Sequence, residues 1–338
     1  MSKKLISVIV VNWNGKQHLE DCFSSLLEQD YPSLEIIMVD NASNDGSVEF
    51  IKNKFPAVKV IQNQTNIGFG CAVNKGISVG KGEYFLFLNN DLSLEPNCIL
   101  ELVKSLEKSN VGGAIPKILF FDKTDTINSF GVDVNYVGIA CPRYIYEKDS
   151  ESFKEEEVPC GGIFMFHRNI VVKTGGFDES IFFYHEDHDL SWRIRLLGMK
   201  LIANPKAVIY HKYHFNRNKD KFYYSEKNRI YLLLKNYSLK TLVLISPAAF
   251  LVEIAEIFFA FAHGWFFKKT RSYFEILMMM PTIVEKRMFV QKNRIMPDRE
   301  IVKIMQGKIM VGGIKHPLLD NFLSPVVNLY WKLVKRLI

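Results

Sequence analysis

The sequence predicts an α/β protein with a mostly parallel central sheet, helices on both faces of that sheet, and a helical C-terminal region. Four apolar, β-rich segments alternate with helical patterns over residues 5–91, and a polar residue closes or follows each segment. After about residue 222 the patterns are helical only. The 338 residues allow about two domains, and an apolar content of 48% is enough for a full-sized core.

The predicted strands of the first part are residues 5–12, 34–40, 57–62 and 83–89. The first, LISVIVVN, is a continuous apolar run, which is typical of a strand buried on both faces. The helical patterns between the strands are residues 16–28, 46–54 and 69–80. This alternation, with short connections, indicates parallel strands joined by crossover helices.

The later elements are less regular. They are a helix over 95–108, an irregular acidic excursion over 122–157, a short strand near 162–167, a helix over 186–197 and a strand near 206–211. We expect the excursion to be mobile, because it is polar and shows no periodicity.

Ligands of such sheets bind beyond the carboxyl ends of the strands. The first predicted strand ends at Asn12, the second ends at Asp40, the third leads to Asn66, and the fourth is followed by Asn90 and Asp91. Four consecutive strands that bring Asn or Asp to one edge indicate a nucleotide-sized site.

The two carboxylates among these residues, and a later histidine, each have more than one interpretation. Asp40 can accept a hydrogen bond from a nucleobase or a ribose, or it can open an Asx turn. Asp91 can hold Mg²⁺ or Mn²⁺, or it can cap a helix. His211, at the end of a later strand, can complete a Mn²⁺ site, although His214 competes for that role.

Glu186 and Asp187 open the helix predicted over 186–197. Carboxylates at a helix start favour the macrodipole, which is a purely structural role. The functional interpretation is that Asp187 points into the cleft, where the positive helix end keeps it ionised as a general base.

The sequence motifs of several other protein classes are absent. The sequence has no GxxxxGK[ST] motif, no GxGxxG after the first strand and no GxSxG elbow. Five cysteines without a CxxC pair argue against a disulfide framework or a zinc ribbon and fit a reducing cytoplasm. The N-terminal apolar run stops at Asn12 without a cleavage site, so we interpret it as a strand and not as a signal peptide.

Seven stretches together resemble the family 2 glycosyltransferases of the GT-A fold, in particular rhamnosyltransferase-like members. They are SVIVVNWNG (7–15), VDNASNDGS (39–47), NIGFGCAVNKG (66–76), GEYFLFLNND (82–91), PCGGIFMFHR (159–168), GGFDESIFFYHEDHDLSWR (175–193) and IYHKYH (209–214). The resemblance covers roughly residues 5–215 and implies a GT-A fold there. Together with the change to helical patterns after about residue 222, it leads us to expect a GT-A catalytic domain over residues 1–222 and a helical region over 223–338.

The resemblance also implies an activity. It is the transfer of a sugar from a nucleoside-diphosphate-sugar donor to an acceptor hydroxyl, with inversion at the anomeric carbon and Asp187 as general base. The donor contacts that it implies are Asn12, Asp40, Asn66, Asn74 and Asn90.

A divalent cation, Mg²⁺ or Mn²⁺, is implied at Asp91 and His211. Asp91 matches the second aspartate of the family's DxD motif, whereas Asn89 replaces the first. That departure removes one negative charge from the site.

The acceptor contacts implied by the resemblance are Gly161, Gly162 and Glu186. The acceptor itself is expected to be a lipid-linked glycan or a cell-surface glycan precursor, with the acidic segment 147–157 as a lid. Because the leaving group is a diphosphate whose charge a metal can neutralise, one base is enough and no acid partner is needed.

The charge distribution suggests where the protein works. Residues 225–338 hold 18 Lys and Arg against 8 Asp and Glu, a net charge of +10, whereas the remainder has a net charge of −3. Residues 241–267 are apolar and long enough to span a bilayer, but Glu253 and Glu256 interrupt them. We therefore favour an amphipathic helix that lies on an anionic membrane or packs in a bundle, ahead of a true span. The expected location is cytoplasmic, peripheral on the inner face of the plasma membrane.

Three other functions compete. A catalytically inactive nucleotide-sugar-binding protein is permitted by Asn89. A nucleotidyltransferase would need a Gly-rich basic loop after the first strand, where only Asn14, Gly15 and Lys16 stand. Nucleic acid is not expected as a partner, because the C-terminal cations are interleaved with apolar runs. The oligomeric state is left open.

Overall fold

The structure, a computed structural model, describes residues 4–212, 219–310, 317 and 319–338. The chain divides into two compact units. The first comprises residues 1–131, 142–194 and 199–214, and the second comprises 132–141, 195–198 and 215–338. The predicted boundary at residue 222 stays a prediction.

The described residues form these strands, in chain order: β1 (Ile6–Asn12), β2 (Leu34–Asp40), β3 (Lys59–Gln62), β4 (Tyr84–Asn89), β5 (Leu92–Leu94), β6 (Val111–Phe120), β7 (Lys123–Ser129), β8 (Val132–Val134), β9 (Ala140–Pro142), β10 (Glu156–Glu157), β11 (Met165–His167) and β12 (Lys200–His211). The main sheet has the order β10-β12-β6-β11-β4-β1-β2-β3, with β5 added to β12 and β7 to β6. Strands β8 and β9 form a separate pair.

The described helices are α1 (Lys16–Leu27), α2 (Ser47–Lys54), α3 (Phe69–Val79), α4 (Cys98–Leu106), α5 (Arg168–Thr174), α6 (Glu186–Leu196), α7 (Lys219–Asn236), α8 (Leu239–Ala262), α9 (Phe266–Met278), α10 (Met280–Asn293), α11 (Asp298–Ile301) and α12 (Ser324–Val334). A π-helical turn, Leu319–Leu323, precedes α12. Helices α1 to α5 belong to the first unit, and α7 to α12 belong to the second.

The parallel part of the sheet brings the polar strand ends together. Strand β1 pairs in parallel with β2 and β4, and β2 pairs in parallel with β3. The register places Asn12 beside Asp40 and Val11 beside Asn89. The rest of the sheet is mixed, because β11 runs antiparallel between β4 and β6.

The core lies on both faces of this sheet, as the apolar run in β1 predicts. Ile6, Val8 and Val10 pack into one buried cluster, together with residues of α1 and α4. Ile9 and Val11 pack into the other cluster, together with residues of α3. A strand covered by helices on both faces needs apolar residues at consecutive positions.

The prediction of an irregular excursion over 122–157 is wrong for the first part of this stretch. This stretch contributes β7 to the main sheet, and Ile127 and Phe130 lie in the core. Strand β6 before it was missed as well. Its glycines and Pro116 disfavour a strand by propensity, and Pro116 is tolerated because the pairing with β12 is irregular directly after it.

The acidic end of that stretch is held in place. Glu155 accepts hydrogen bonds from Ser105 Oγ and Lys108 Nζ, and Lys117 Nζ donates to Asp149 at 2.7 and 2.8 Å. These contacts disfavour the interpretation of residues 147–157 as a lid.

The second unit is built from helices around an aromatic centre. Tyr136 stacks on Trp331 with ring centroids 4.2 Å apart, and its hydroxyl donates to the Val327 carbonyl. Among the residues that the structure describes, α8 is one helix that is long and apolar enough to cross a membrane, and only 17% of its most apolar window is buried.

Candidate active site

The carboxyl ends of β1, β2 and β4 are joined by side-chain hydrogen bonds. Asn12 Nδ2 donates to Asp40 Oδ1 at 2.8 Å, and Asn90 Nδ2 donates to Asn12 Oδ1 at 2.6 Å. Three of the predicted donor residues thus lie in one network at the edge where the sequence places a nucleotide site.

Ser43 completes this network. Its hydroxyl donates to Asp40 Oδ1 at 2.6 Å, and its backbone N–H donates to Asp40 Oδ2 at 2.9 Å. Ser43 Oγ also accepts from the Asn14 backbone N–H at 2.8 Å. Both oxygens of Asp40 are therefore engaged, and its side chain is buried. In this state Asp40 has the Asx-turn geometry of the structural interpretation, and its contact with a donor stays a prediction.

The glycine-rich turn after β3 lies against the segment that leads to α6. Gly68 has φ +86°, and a Cβ there would come within 2.4 Å of the Phe182 carbonyl oxygen. The Gly68 carbonyl accepts from Asn41 Nδ2 at 3.2 Å, and its N–H donates to Asn66 Oδ1 at 3.0 Å. Asn66 thus shapes this turn.

Asn74 lies farther along α3, and its side-chain amide both donates and accepts a hydrogen bond. Its Nδ2 donates to the Phe177 carbonyl at 2.9 Å, and its Oδ1 accepts from the Phe177 N–H at 2.9 Å. The structure places Asn74 as a clamp on the loop before α6. Its role in binding the donor stays a prediction.

Asp91 and His211 meet although they are far apart in sequence. His211 Nε2 lies 3.3 Å from Asp91 Oδ2, and His211 Nδ1 lies 3.0 Å from Asn128 Oδ1. Asp91 Oδ1 is buried without a hydrogen-bond partner among residues 4–212, 219–310, 317 and 319–338. A carboxylate oxygen and an imidazole nitrogen this close, with an unpaired oxygen beside them, form a donor set that suits a divalent cation. His214 lies outside the described residues.

Asp187 faces the glycines of the 159–168 stretch. A Cβ on Gly162 would lie 3.5 Å from Asp187 Oδ2, and the Gly161 N–H donates to Ser191 Oγ on the same helix at 3.4 Å. Asp187 Oδ1 accepts from the His188 N–H in the first turn of α6 at 2.7 Å. The structure therefore brings together the predicted base and the two predicted acceptor glycines.

The two carboxyl groups at the start of α6 have altered acidity. Burial raises the pKa of Asp187 to about 6, and burial together with the charge of Asp187 raises the pKa of Glu186 to about 8. Glu186 Oε2 is buried and has no hydrogen-bond partner within the described part of the chain. Near pH 7 Asp187 is thus mostly ionised, while Glu186 holds a proton.

Sequence reasoning missed three residues of this region. Ser43 could have been found, because it stands three positions after Asp40 in a turn. Asn128 could not, because only the long-range pairing of β7 with β6 brings it near His211. Trp13 is 58% exposed directly beside Asn12, and an indole exposed next to a polar site offers a stacking surface.

Comparison with known proteins identifies the family. The family model described as glycosyl transferase family 2 matches residues 7–175. The chain belongs to this family. The match covers β1 to β4, Asp91 and the Gly161–Gly162 pair, and it ends before Asp187. It confirms the resemblance predicted from the motifs.

Relatives of the family 2 chain include bacterial glycosyltransferases. One from Haemophilus influenzae, described as an uncharacterized glycosyltransferase, is 34% identical over 109 residues, which is 31% of this chain and 34% of that one. The chain thus spans about a third of that relative's length. The N-acetylglucosaminyl-diphospho-decaprenol L-rhamnosyltransferase of Mycobacterium tuberculosis is 25% identical over 236 residues, covering 62% and 77% of the two chains.

A solved structure shares the fold. The mannosyltransferase PcManGT from Pyrobaculum calidifontis, in complex with GDP-Man and Mn²⁺, superposes with a TM-score of 0.53 at 16% identity, covering 87% of this chain and 86% of that one. The predicted fold class, a GT-A core with a helical C-terminal region, is confirmed.

Proposed function

We propose that this family 2 chain transfers a sugar from a nucleoside-diphosphate-sugar donor to an acceptor hydroxyl, with inversion at the anomeric carbon. The observation that carries the proposal is the meeting of Asp91 and His211 at the sheet edge that also holds the Asn12–Asp40 pair. This edge combines two side chains that suit a divalent cation with a hydrogen-bonded network of polar side chains. Trp13, exposed beside it, offers a face on which a nucleobase can stack.

Asp91 and His211 would hold the divalent cation. When bound, such a cation neutralises charge on a diphosphate leaving group. A fold relative, PcManGT, was solved with GDP-Man and Mn²⁺, which supports a divalent cation here. Asn128, which contacts His211 Nδ1, orients the imidazole so that Nε2 faces Asp91.

Asp187 would act as the base. Its carboxylate takes the proton of the acceptor hydroxyl while the acceptor oxygen attacks the anomeric carbon from the face opposite the diphosphate. The bond between the anomeric carbon and the diphosphate oxygen breaks, and the nucleoside diphosphate leaves with the electron pair. Gly162 leaves room for the acceptor, since it places no side chain in front of Asp187 Oδ2.

The acceptor that we propose is a lipid-linked glycan or a cell-surface glycan precursor. The name of the mycobacterial relative describes a sugar carried on diphospho-decaprenol as its acceptor. Glu186, which keeps its proton near neutral pH, can donate a hydrogen bond to an oxygen of such an acceptor.

The test is Asp187→Asn. Nucleoside-diphosphate release would be measured with UDP-, GDP-, dTDP- and CDP-sugars, a polyprenyl-diphosphate-sugar acceptor and Mn²⁺. We expect release to fall by about a thousandfold, while stabilisation of the protein by the same nucleotide is unchanged. The control is Glu49→Gln, an exposed carboxylate on α2, which should leave release intact.

Two outcomes would speak against this assignment. Equal loss of release and of nucleotide binding in Asp187→Asn would indicate a structural role for Asp187. Donor binding without any release by the wild-type chain would favour a nucleotide-sugar-binding protein, the alternative that Asn89 permits.

A further inference from the structure

Helix α8 of the second unit has a row of large apolar side chains on the outside. Val243, Phe250, Phe258 and Phe261 are each 69–75% exposed. They recur at spacings of seven, eight and three residues, which places them on one face of the helix. A soluble protein rarely exposes a run of aromatic side chains of this kind without a partner.

The two carboxylates of α8 point into the second unit, whereas Lys240 and Ser246 are exposed. Glu253 and Glu256 face two buried cations, Arg229 of α7 and Lys269 of α9. Lys269 Nζ lies 2.9 Å from Glu253 and 2.6 Å from Glu256. The two carboxylates of this helix are thus paired inside the unit together with buried apolar residues, while several of its largest apolar side chains are left outside.

Two neighbours of α8 carry similar stripes. On α9, Phe267, Phe274 and Met278 are exposed at positions i, i+7 and i+11. On α12, Val326, Leu329, Leu333 and Leu337 are exposed at or just beyond the helix, while Val327, Trp331 and Val334 are buried. Both helices contact α8. Three adjoining helices therefore each present an apolar stripe that the described residues leave exposed.

We propose that these stripes dock the protein on the interface of an anionic lipid bilayer. Aromatic and aliphatic side chains would enter the boundary between head groups and acyl chains. The net charge of +10 over residues 225–338 would add attraction to anionic lipids. The same charge opposes a second copy of the chain as the occupant, because two such surfaces would repel each other.

The packing of α8 favours a helix that lies in the interface over one that spans. Its inner face is buried near both ends, at Thr241 and Ala260. Thr241 Oγ1 donates to Asp298 at 2.6 Å near its start, and Glu256 lies 2.6 Å from Lys269 Nζ of α9 in its second half. A spanning helix would have to release these contacts with the rest of the unit.

The experiment uses the full chain and sucrose-gradient flotation with two kinds of vesicle. One kind is phosphatidylcholine alone, and the other contains phosphatidylglycerol as well. We expect the wild type to float with the anionic vesicles. Phe258→Ser/Phe267→Ser should lower the partition coefficient by about a hundredfold, and Lys332→Gln/Arg336→Gln by about fivefold per charge.

The control is Leu27→Ser/Val172→Ser, which removes two exposed apolar side chains from the first unit. It should float like the wild type. The proposal is overturned if the wild type stays at the bottom of the gradient with anionic vesicles, or if the two phenylalanine substitutions leave flotation unchanged. A soluble dimer that Phe258→Ser/Phe267→Ser dissociates would make a second copy the occupant.

A second measurement does not depend on loss of binding. In Phe258→Trp, the new indole should be quenched by lipids brominated on their acyl chains, whereas the indole of Leu27→Trp should show no added quenching. Absence of quenching at position 258 in bound protein would overturn the docking face. Protein that alkaline carbonate does not release would indicate a span instead.

Discussion

Asp91 combines two features that rarely occur together in a structural residue. One of its oxygens lies 3.3 Å from a histidine nitrogen, and the other is buried without a partner within the described residues. Leaving a buried carboxylate oxygen unpaired destabilises the fold, so it is expected mainly where a ligand supplies the missing contact.

Asp91→Asn should therefore remove metal-dependent nucleotide binding. Thermal stability would be recorded with UDP, GDP, dTDP and CDP, each with and without Mn²⁺ or Mg²⁺. In the wild type one nucleotide with metal should add about 2.7 kcal/mol at 100 times its Kd, and in Asp91→Asn most of this gain should disappear. Asp122→Asn, an exposed aspartate in the turn after β6, serves as control. A metal-dependent gain that survives in Asp91→Asn would remove Asp91 as a ligand.

Glu186 allows a test based on pH. Burial raises the pKa of this carboxyl from its ordinary value to about 8 in the folded protein. The folded state then holds a proton that the unfolded state has lost, so this residue makes stability fall as pH rises between about 4.5 and 8. Glu186→Gln removes that dependence. Its Tm should exceed that of the wild type by a few degrees at pH 8, with a smaller difference at pH 5. A difference that does not change with pH would contradict the protonated state.

The residues that sequence analysis could find are those that follow an apolar run. Asn12, Asp40 and Asp91 stand at strand ends, and parallel pairing necessarily brings such positions to one edge. Ser43 stands three positions after Asp40 and could have been found, whereas the role of Asn128 depends on the pairing of β7 with β6, which no periodicity encodes. The raised pKa of Asp187 could not be predicted from the sequence either. The helix end was expected to keep it ionised, but burial acts in the opposite direction and raises its pKa to about 6.

At the scale of the element, the turn after β3 links the donor edge to the loop before α6. Glycine is required at position 68 for two reasons, its φ of +86° and the closeness of the Phe182 carbonyl. The positions of Asn41 and Phe182 beside this turn therefore both depend on the absence of a side chain at Gly68.

Gly68→Ala should lower both stability and donor affinity. With φ +86° and ψ 169°, Gly68 lies in a backbone region that essentially only glycine adopts, which alone costs about 1–3 kcal/mol for another residue, and the clash with Phe182 O adds to it. Gly175→Ala serves as the milder comparison, because Gly175 has the ordinary left-handed conformation, φ +77° and ψ 17°, and open space around its Cα. We expect urea unfolding to show a clearly larger loss for Gly68→Ala than for Gly175→Ala. Equal losses would mean that the turn moves away freely and does not link the two segments.

The elements that sequence analysis missed share one property. Strand β6 contains two glycines and a proline, and β7 reads KTDTINS, so neither has the apolar alternation of a strand. Strand β6 forms in spite of its composition because it pairs with β12 on one side and with β11 on the other. The strands with continuous apolar runs, β1, β2 and β4, were found within one residue of their ends.

At the scale of the whole molecule, the chain has a slightly acidic N-terminal part and a strongly basic C-terminal part. The second unit also buries charged side chains in one cluster. In the second unit, Arg229 and Lys269 are both buried among Glu226, Glu253 and Glu256. Burial, together with the charge of Glu226, raises the pKa of Glu256 well above its ordinary value, so this carboxyl keeps its proton and the cluster is close to neutral. This cluster holds the polar face of α8 inward and so determines which face is left outside.

Lys269→Met tests that role, and the chain supplies its own control. Removing Lys269 leaves buried carboxylates without one of their two cations, which should lower the free energy of unfolding by about 3 kcal/mol. Its neighbour Lys268 is 40% exposed and pairs with Asp220 at the surface, so Lys268→Met should change stability by less than about 0.5 kcal/mol. Both variants lose one positive charge, and the comparison by urea denaturation therefore isolates burial from net charge. Equal, small effects would show that the cluster rearranges around water, in which case α8 would not depend on it for its orientation.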